Sequence, residues 1–347
     1  MRTRLTVAAE PRFIAGASVR SRALGLGLRL GVRPLLDVWA RAPFLFFPPN
    51  VLDHAARLLP APEGTRWRRV DLPDVAAEWV QGRDVVDSTA TGAILYFHGG
   101  AFLTCGLNTH RRLVSRISAA SGQPVLNVEY RQLPRESVSR SVEDGVAGFA
   151  WLLEQGFRPE QITIAGDSAG GYLAFSVARA VMDAGHDRPA GIVALSPLLD
   201  FDPAGKAAHA NARTCQAFSH RAVARLTDAV RHIDTVRGVQ PGRTCPVNMA
   251  LHDMPPALIH IGSREVLMAD AELMANRLVS AGVRCDLQIW DRQVHVFQAA
   301  ASWVPEARAA IEEIGTFIRN LDGARVESTV HSRTGRSPER IVVDALG

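Results

Sequence analysis

Ile162-Thr163-Ile164-Ala165 has the pattern of a buried β-strand and runs without a break into Gly166-Asp167-Ser168-Ala169-Gly170-Gly171, after which the apolar spacing turns helical. Strand, sharp turn and helix within ten residues leave few ways to fold. A serine with glycine two before and two after suits a strained turn where strand and helix backbones approach closely. Such a turn lifts the Ser168 hydroxyl clear of a sheet. It also aims the amide of Ala169, first in the following helix, at the place where a carbonyl oxygen would gain charge.

The rest of the chain repeats this alternation. Strand patterns at 67–72 and 75–80 flank Pro73-Asp74 as a hairpin, and Ala93-Ile94-Leu95-Tyr96-Phe97 is a continuous apolar run of the kind found in strands covered on both faces. Helix 108–121, strand 125–130, helix 141–155, the serine strand, helix 171–184 and strand 191–195 follow. Strand 257–261, helix 269–281, strand 284–290 and helix 305–321 complete the series. The order predicts an α/β protein with a mostly parallel central sheet of about eight strands, right-handed crossovers, helices on both faces and an antiparallel edge. The alternation lapses once, over residues 199–254. An insertion of that length, with a helical stretch at 219–237, reads as a cap. The expected organisation is therefore an N-terminal helical cap segment at 1–62, a catalytic domain at 63–322 carrying the insertion, and a flexible tail at 323–347.

Composition narrows the class. Of the 347 residues 47% are hydrophobic and 21% charged, as in an ordinary globular enzyme, and no apolar run reaches the length of a spanning helix. Cys105, Cys215, Cys245 and Cys285 are too scattered for a zinc or redox motif and are read as reduced thiols of a cytoplasmic protein. The net charge of +4 comes from the first 41 residues, where Arg2, Arg4, Arg12, Arg20, Arg22, Arg29, Arg33 and Arg41 face only Glu10 and Asp37. The remainder is slightly acidic, which argues against nucleic acid as a partner. Within that segment Leu24, Leu28, Val32, Leu35 and Trp39 fall on one side of a helical wheel and Arg22, Arg29 and Arg33 on the other, with a bend expected at Pro34. The glycines among them weaken the helix, so it needs a surface to lie on. Either the mouth of the protein's own site or an anionic membrane would serve, with the first preferred.

Reactive groups of such sheets collect at the carboxyl ends of the strands. Those ends carry His98-Gly99-Gly100-Ala101, Ser168, Gly262-Ser263-Arg264-Glu265 and, beyond the last strand, His295. Serine, acid and histidine then stand in the chain order of an α/β-hydrolase triad. Together with Tyr130-Arg131, Pro134, Ser196-Pro197, Glu265-Val266-Leu267 and His295-Val296-Phe297, these residues make the chain resemble the bacterial hormone-sensitive-lipase-like branch of the α/β-hydrolase esterases over residues 63–321. The resemblance implies the α/β-hydrolase fold and a small-molecule ester as substrate, with no metal or cofactor. It implies Ser168 as nucleophile, His295 as general base and then acid, and Glu265 as the carboxylate that orients the imidazole. The amides of Gly100, Ala101 and Ala169 would form the oxyanion hole, with Gly99 supporting its turn.

The match is imperfect. Ala101 stands at the third glycine of the family pattern and can still donate its N–H if its φ is negative. Glu265 stands where many relatives have aspartate, which leaves Asp270 as a rival. Gln132-Leu133-Pro134-Arg135 departs from the family segment and frees Arg131 to pair with Glu143 or Asp144. Other residues read as structural: His260 inside a strand, and His98 bonding loop backbone. Cys105 lacks a basic partner that would make it a nucleophile. Phe102, Phe201 and Phe218 could line an acyl pocket or pack the core. The reading is a serine carboxylesterase for short to medium acyl esters. Lactones or acetylated metabolites as substrates, a non-catalytic small-molecule-binding protein on the same fold, a homodimer, and a peripheral membrane contact through the Arg-rich segment stay open.

Overall fold

In the computed structural model of the protein the described residues are 9–41, 51–239 and 245–333, with 322–333 described through their backbone alone. Their nine strands form one sheet. These are β1 (Arg12–Ile14), β2 (Arg66–Asp71), β3 (Ala76–Gln81), β4 (Ala93–Phe97), β5 (Val125–Val128), β6 (Ile162–Asp167), β7 (Gly191–Leu195), β8 (Ala257–Gly262) and β9 (Cys285–Trp290), in the spatial order β1-β9-β8-β7-β6-β4-β5-β3-β2. The pairings β2·β3 and β3·β5 are antiparallel and all the others parallel, so the hairpin forms one edge as the sequence predicts.

Helices cover both faces because the strands are apolar on both. In β4 the residues Ile94 and Tyr96 face one core, shared with helices α4 (Leu107–Ser121) and α10 (Pro305–Arg333). Leu95 and Phe97 face the other, shared with α5 (Val138–Glu154), α6 (Ala169–Asp183) and α9 (Met268–Ser280). All four side chains are fully shielded from water. Each such burial stabilises the fold by roughly 1.5–3 kcal/mol, which explains why a five-residue strand can hold the centre of the sheet. Between β7 and β8 the chain forms α7 (Pro203–Ala208) and α8 (His220–Val236), the latter capped by the Ser219 hydroxyl on the amide of Ala222.

The sheet expected to have about eight strands has nine, the added one being Arg12–Ile14 of the N-terminal segment, which pairs in parallel with β9. A three-residue strand is too short to show a period, so the sequence hides it. Two expectations need correction. Residues 323–333, expected to open a flexible tail, instead continue α10 to Arg333, and the rest of that expectation, residues 334–347, lies outside the described residues. The N-terminal helix also differs from a simple wheel. Helix α1 (Val19–Gly27) and helix α2 (Arg33–Trp39) are joined by a π-helical turn, Leu28–Val32, into one run, and Val32 and Leu35 face solvent. The amide of Arg33 reaches back five residues to the Leu28 carbonyl. Pro34 has no amide, and its ring crowds the carbonyl four residues before it, so the turn widens there.

His260 lies fully buried in β8 against Trp290, and burial pushes its pKa down to about 3. A folded pKa below the unfolded one means that, between about 6.5 and 3, the unfolded chain binds the proton and the native protein does not. Stability therefore falls as the pH drops through that window, by about 5 kcal/mol in all from this residue. His260→Leu should flatten the acid limb of a urea-midpoint against pH curve. An unchanged slope would show that the loss arises elsewhere.

Candidate active site

Ser168 sits between β6 and α6 with φ 53° and ψ −115°, a strained conformation for a residue with a side chain. Its neighbours must be small for backbones to pass. A Cβ on Gly166 would lie 2.2 Å from the Gly170 carbonyl oxygen, and one on Gly170 would lie 1.9 Å from that of Phe97. The turn is pinned through its backbone: the Ser168 amide donates to Leu195 O at 2.8 Å, and the Leu198 amide donates to Ser168 O at 3.1 Å. Ala169 opens α6, where the first amides lack acceptors within the helix.

His295 follows β9 on a loop and brings its Nδ1 within 2.8 Å of Glu265 Oε2. The other carboxylate oxygen of Glu265 accepts from the Gly262 amide at 2.7 Å and from the Ser196 hydroxyl at 2.8 Å. Ser196 Oγ in turn accepts from the Val296 amide at 3.1 Å, so one hydroxyl ties the carboxylate to the histidine loop. Glu265 is buried with both of its carboxylate oxygens hydrogen-bonded. Phe218 stands edge-on to the imidazole at 4.9 Å.

Ser168 and His295 both open onto one cavity of about 380 Å³, near the lower end of usual ligand sites, about 300–1,000 Å³. Its walls are mainly apolar: Ala222, Val223 and Leu226 from α8, Leu36, Trp39 and Ala40 from α2 and beyond, Leu52 from α3 (Val51–Ala56), and Phe218. Gly100 and Ala101 line it as well.

The alpha/beta hydrolase fold family matches residues 94–299, the stretch from β4 through the His295 loop. The chain belongs to the α/β-hydrolases. It is 41% identical over 298 residues to the esterase LipU of Mycobacterium tuberculosis, covering 85% of this chain and all of LipU. With the carboxylesterase/phospholipase LipF of the same species it shares 37% identity over 321 residues, 91% of this chain and 86% of LipF. A crystal structure of an esterase from the bacterial hormone-sensitive lipase family superposes with a TM-score of 0.76 at 30% identity, over 89% of this chain and 99% of that one. These likenesses identify an ester hydrolase of the hormone-sensitive-lipase-like branch.

In this α/β-hydrolase the second carboxylate candidate has other work. Asp270 Oδ1 is 2.8 Å from Lys206 Nζ, both side chains being almost fully buried, while Asp270 Oδ2 accepts from the amides of Leu199 and Asp200 at 2.9 and 3.0 Å. The pair fastens the start of the α7 segment to α9. The Arg131 side chain makes three hydrogen bonds to Asp144, at 2.9, 3.1 and 2.7 Å, and lies 4.0 Å from Glu143, so of its two candidate partners it takes Asp144. Phe102 and Phe201 pack around Tyr172 in the core, and only Phe218 of the three phenylalanines lines the cavity.

The glycine loop after β4 departs from expectation at Ala101, whose φ is +60° rather than negative. Gly100 at +115°, Phe102 at +59° and Cys105 at +69° share the left-handed region. For Ala101, Phe102 and Cys105, which carry a side chain, such strain costs about 1–3 kcal/mol per residue and persists only where surroundings over-determine it, whereas Gly100 adopts its φ freely. Here Leu103 and Thr104 both donate to Gly100 O at 3.0 Å, Leu133 donates to Phe102 O at 2.8 Å, and the Tyr130 hydroxyl donates to His98 O at 2.8 Å. The Gly99 amide donates to Asp167 Oδ1 at 3.1 Å, which gives Gly99 a bracing part.

Asp167 itself had no role in the sequence reading, although it lies inside the serine motif. Its buried carboxylate also accepts from Tyr96 Oη at 2.8 Å and lies 3.3 Å from His110 Nε2. Burial opposes charge on both partners, yet their attraction prevails: Asp167 titrates below the usual carboxylate value and His110 above the usual histidine value. His98, by contrast, is held neutral, its pKa lowered by burial to about 4, with Nδ1 2.7 Å from Gly99 O. Burial pushes the Cys105 thiol up to about 12, which makes it a poor nucleophile.

Proposed function

We propose that the protein is a serine carboxylesterase that hydrolyses esters of short to medium acyl chains through an acyl-enzyme on Ser168. The observation that carries this reading is the 2.8 Å His295–Glu265 contact beside a cavity that Ser168 shares. In the proposed reaction Ser168 Oγ attacks the ester carbonyl carbon while its proton passes to His295 Nε2. Glu265 holds the opposite N–H and stabilises the imidazolium that forms. The carbonyl oxygen becomes an oxyanion, for which the amides of Ala169 and Gly100 are the candidate donors, each typically worth about 3 kcal/mol, while Ala101 lacks the negative φ on which its donation was to depend. Collapse expels the alcohol, which takes the proton from His295. A water then repeats the sequence at the acyl carbon, and the carboxylic acid leaves.

The α7–α8 segment and the N-terminal helical run together act as the cap, since α8 and α2 supply much of the apolar wall. The names of LipU and LipF, esterase and carboxylesterase/phospholipase, fit the hydrolysis of a carboxylic ester. A series of p-nitrophenyl esters from acetyl to dodecanoyl tests the reading, with Ser168→Ala as the blank. Activity should peak at a short or medium chain and fall at dodecanoyl. Turnover no faster than the blank across the series would reject it. In the same assay Leu36→Ala should lower kcat/KM for hexanoyl over acetyl esters by roughly tenfold, because it removes apolar wall from the cavity. Equal losses on both esters would move Leu36 out of the acyl site.

A further inference from the structure

We infer that the outward face of the N-terminal helical run, Val19 through Trp39, is a docking surface for an anionic phospholipid bilayer. The inward face is firmly placed. Ser18 hydroxyl bonds Glu306 at 2.9 Å, Ser21 bonds Gln293 at 2.9 Å just before His295, Arg33 donates to Cys215 O at 2.8 Å, and Asp37 accepts from Ser219 at 2.6 Å. Gly25 packs so closely on Gln216 that a Cβ would meet it at 2.3 Å.

The π-turn inserts about one extra residue into the helical phase. Without it the two halves would bury different faces. With it, Ser21, Gly25, Leu36 and Ala40 share the inner side, and Val19, Leu26, Leu30, Leu35 and Val38 share the outer side. Those five are 82%, 56%, 70%, 58% and 53% exposed. A continuous row of exposed large aliphatic side chains is uncommon on a solvent face and marks an interaction surface.

Charge selects the occupant. Arg22 and Arg29 are exposed and flank the row, while Asp37, the only acid between residues 19 and 41, is turned inward to Ser219. A second copy meeting this face across a two-fold axis would bring arginines toward arginines with no carboxylate on the face to pair them. Anionic headgroups supply the missing charge, and acyl chains take the leucines. Among the described residues no helix is long and apolar enough to cross a membrane, so the run lies on the surface rather than through it. Docking would set the cavity at the lipid boundary. Leu52 is 45% exposed and lines the cavity together with Leu36 and Trp39 of the run itself, so the cavity rim adjoins the run.

The full chain is tested by sedimentation with vesicles of phosphatidylcholine alone, or of equal parts phosphatidylcholine and phosphatidylglycerol. Binding is expected to the second mixture at low salt and to weaken as salt rises. Leu26→Asp combined with Leu30→Asp should abolish it, with the melting temperature kept. Arg22→Glu combined with Arg29→Glu should reduce the preference for phosphatidylglycerol by about tenfold or more. The proposal is overturned if the wild type stays in the supernatant with both mixtures, or if both variants bind like the wild type. It is equally overturned if light scattering shows a dimer that the Leu26→Asp, Leu30→Asp variant splits, because the face then belongs to a second copy. None of these readouts needs turnover, so they stand apart from the esterase assay.

Discussion

His295→Ala is expected to lower kcat for a soluble p-nitrophenyl ester by on the order of 10⁴- to 10⁶-fold with KM little changed. Without the imidazole, the Ser168 hydroxyl keeps its proton and the alcohol leaves without one. Glu265→Gln should cost less, about 10⁴-fold, because the base remains but its tautomer and orientation are no longer held. The 2.8 Å contact between His295 Nδ1 and Glu265 Oε2 motivates both numbers. Stopped assays at enzyme concentrations high enough to see the residual rate would measure them. A Glu265→Gln enzyme within tenfold of the wild type would remove Glu265 from the proposed triad.

Asp270→Ala is expected to do the reverse, costing about 3–5 kcal/mol of stability while leaving kcat far above that of the Glu265 variant. The Lys206 ammonium would remain in a site where its side chain is 2% exposed, its carboxylate gone. Breaking a buried pair from one side is costly for that reason, whereas replacing both partners by apolar groups often is not. Urea unfolding of Asp270→Ala, and of Asp270→Leu combined with Lys206→Met, separates the two effects. The double variant should recover much of the loss. If Asp270→Ala instead unfolds at the wild-type midpoint and loses turnover, the assignment of the two carboxylates is inverted.

Much of this architecture was legible in the sequence because it depends on local patterns. The apolar run at 93–97 could only be a strand buried on both faces, and the interrupted alternation after Leu198 marked the region that forms α7 and α8. What stayed hidden depends on distant partners. Arg12–Ile14 becomes a strand only because Gln288 to Trp290 offers an open edge. Lys206 looks like any surface lysine until Asp270 arrives from sixty-four residues away in sequence. Ser196 and Asp167 lay within quoted motifs, yet their bonds to Glu265 and to the Gly99 amide arise from tertiary approach. Val32 and Leu35 of the N-terminal run were misplaced on the inner side because a wheel of constant pitch has no π-turn in it.

The claim that all of this supports is that Ser168 is the nucleophile of an ester hydrolase. Incubation with a fluorophosphonate probe followed by peptide mass mapping tests it most directly. The account predicts one adduct per chain, on Ser168, absent from Ser168→Ala and formed far more slowly by His295→Ala. An adduct on another residue, or undiminished labelling of Ser168→Ala, would contradict it.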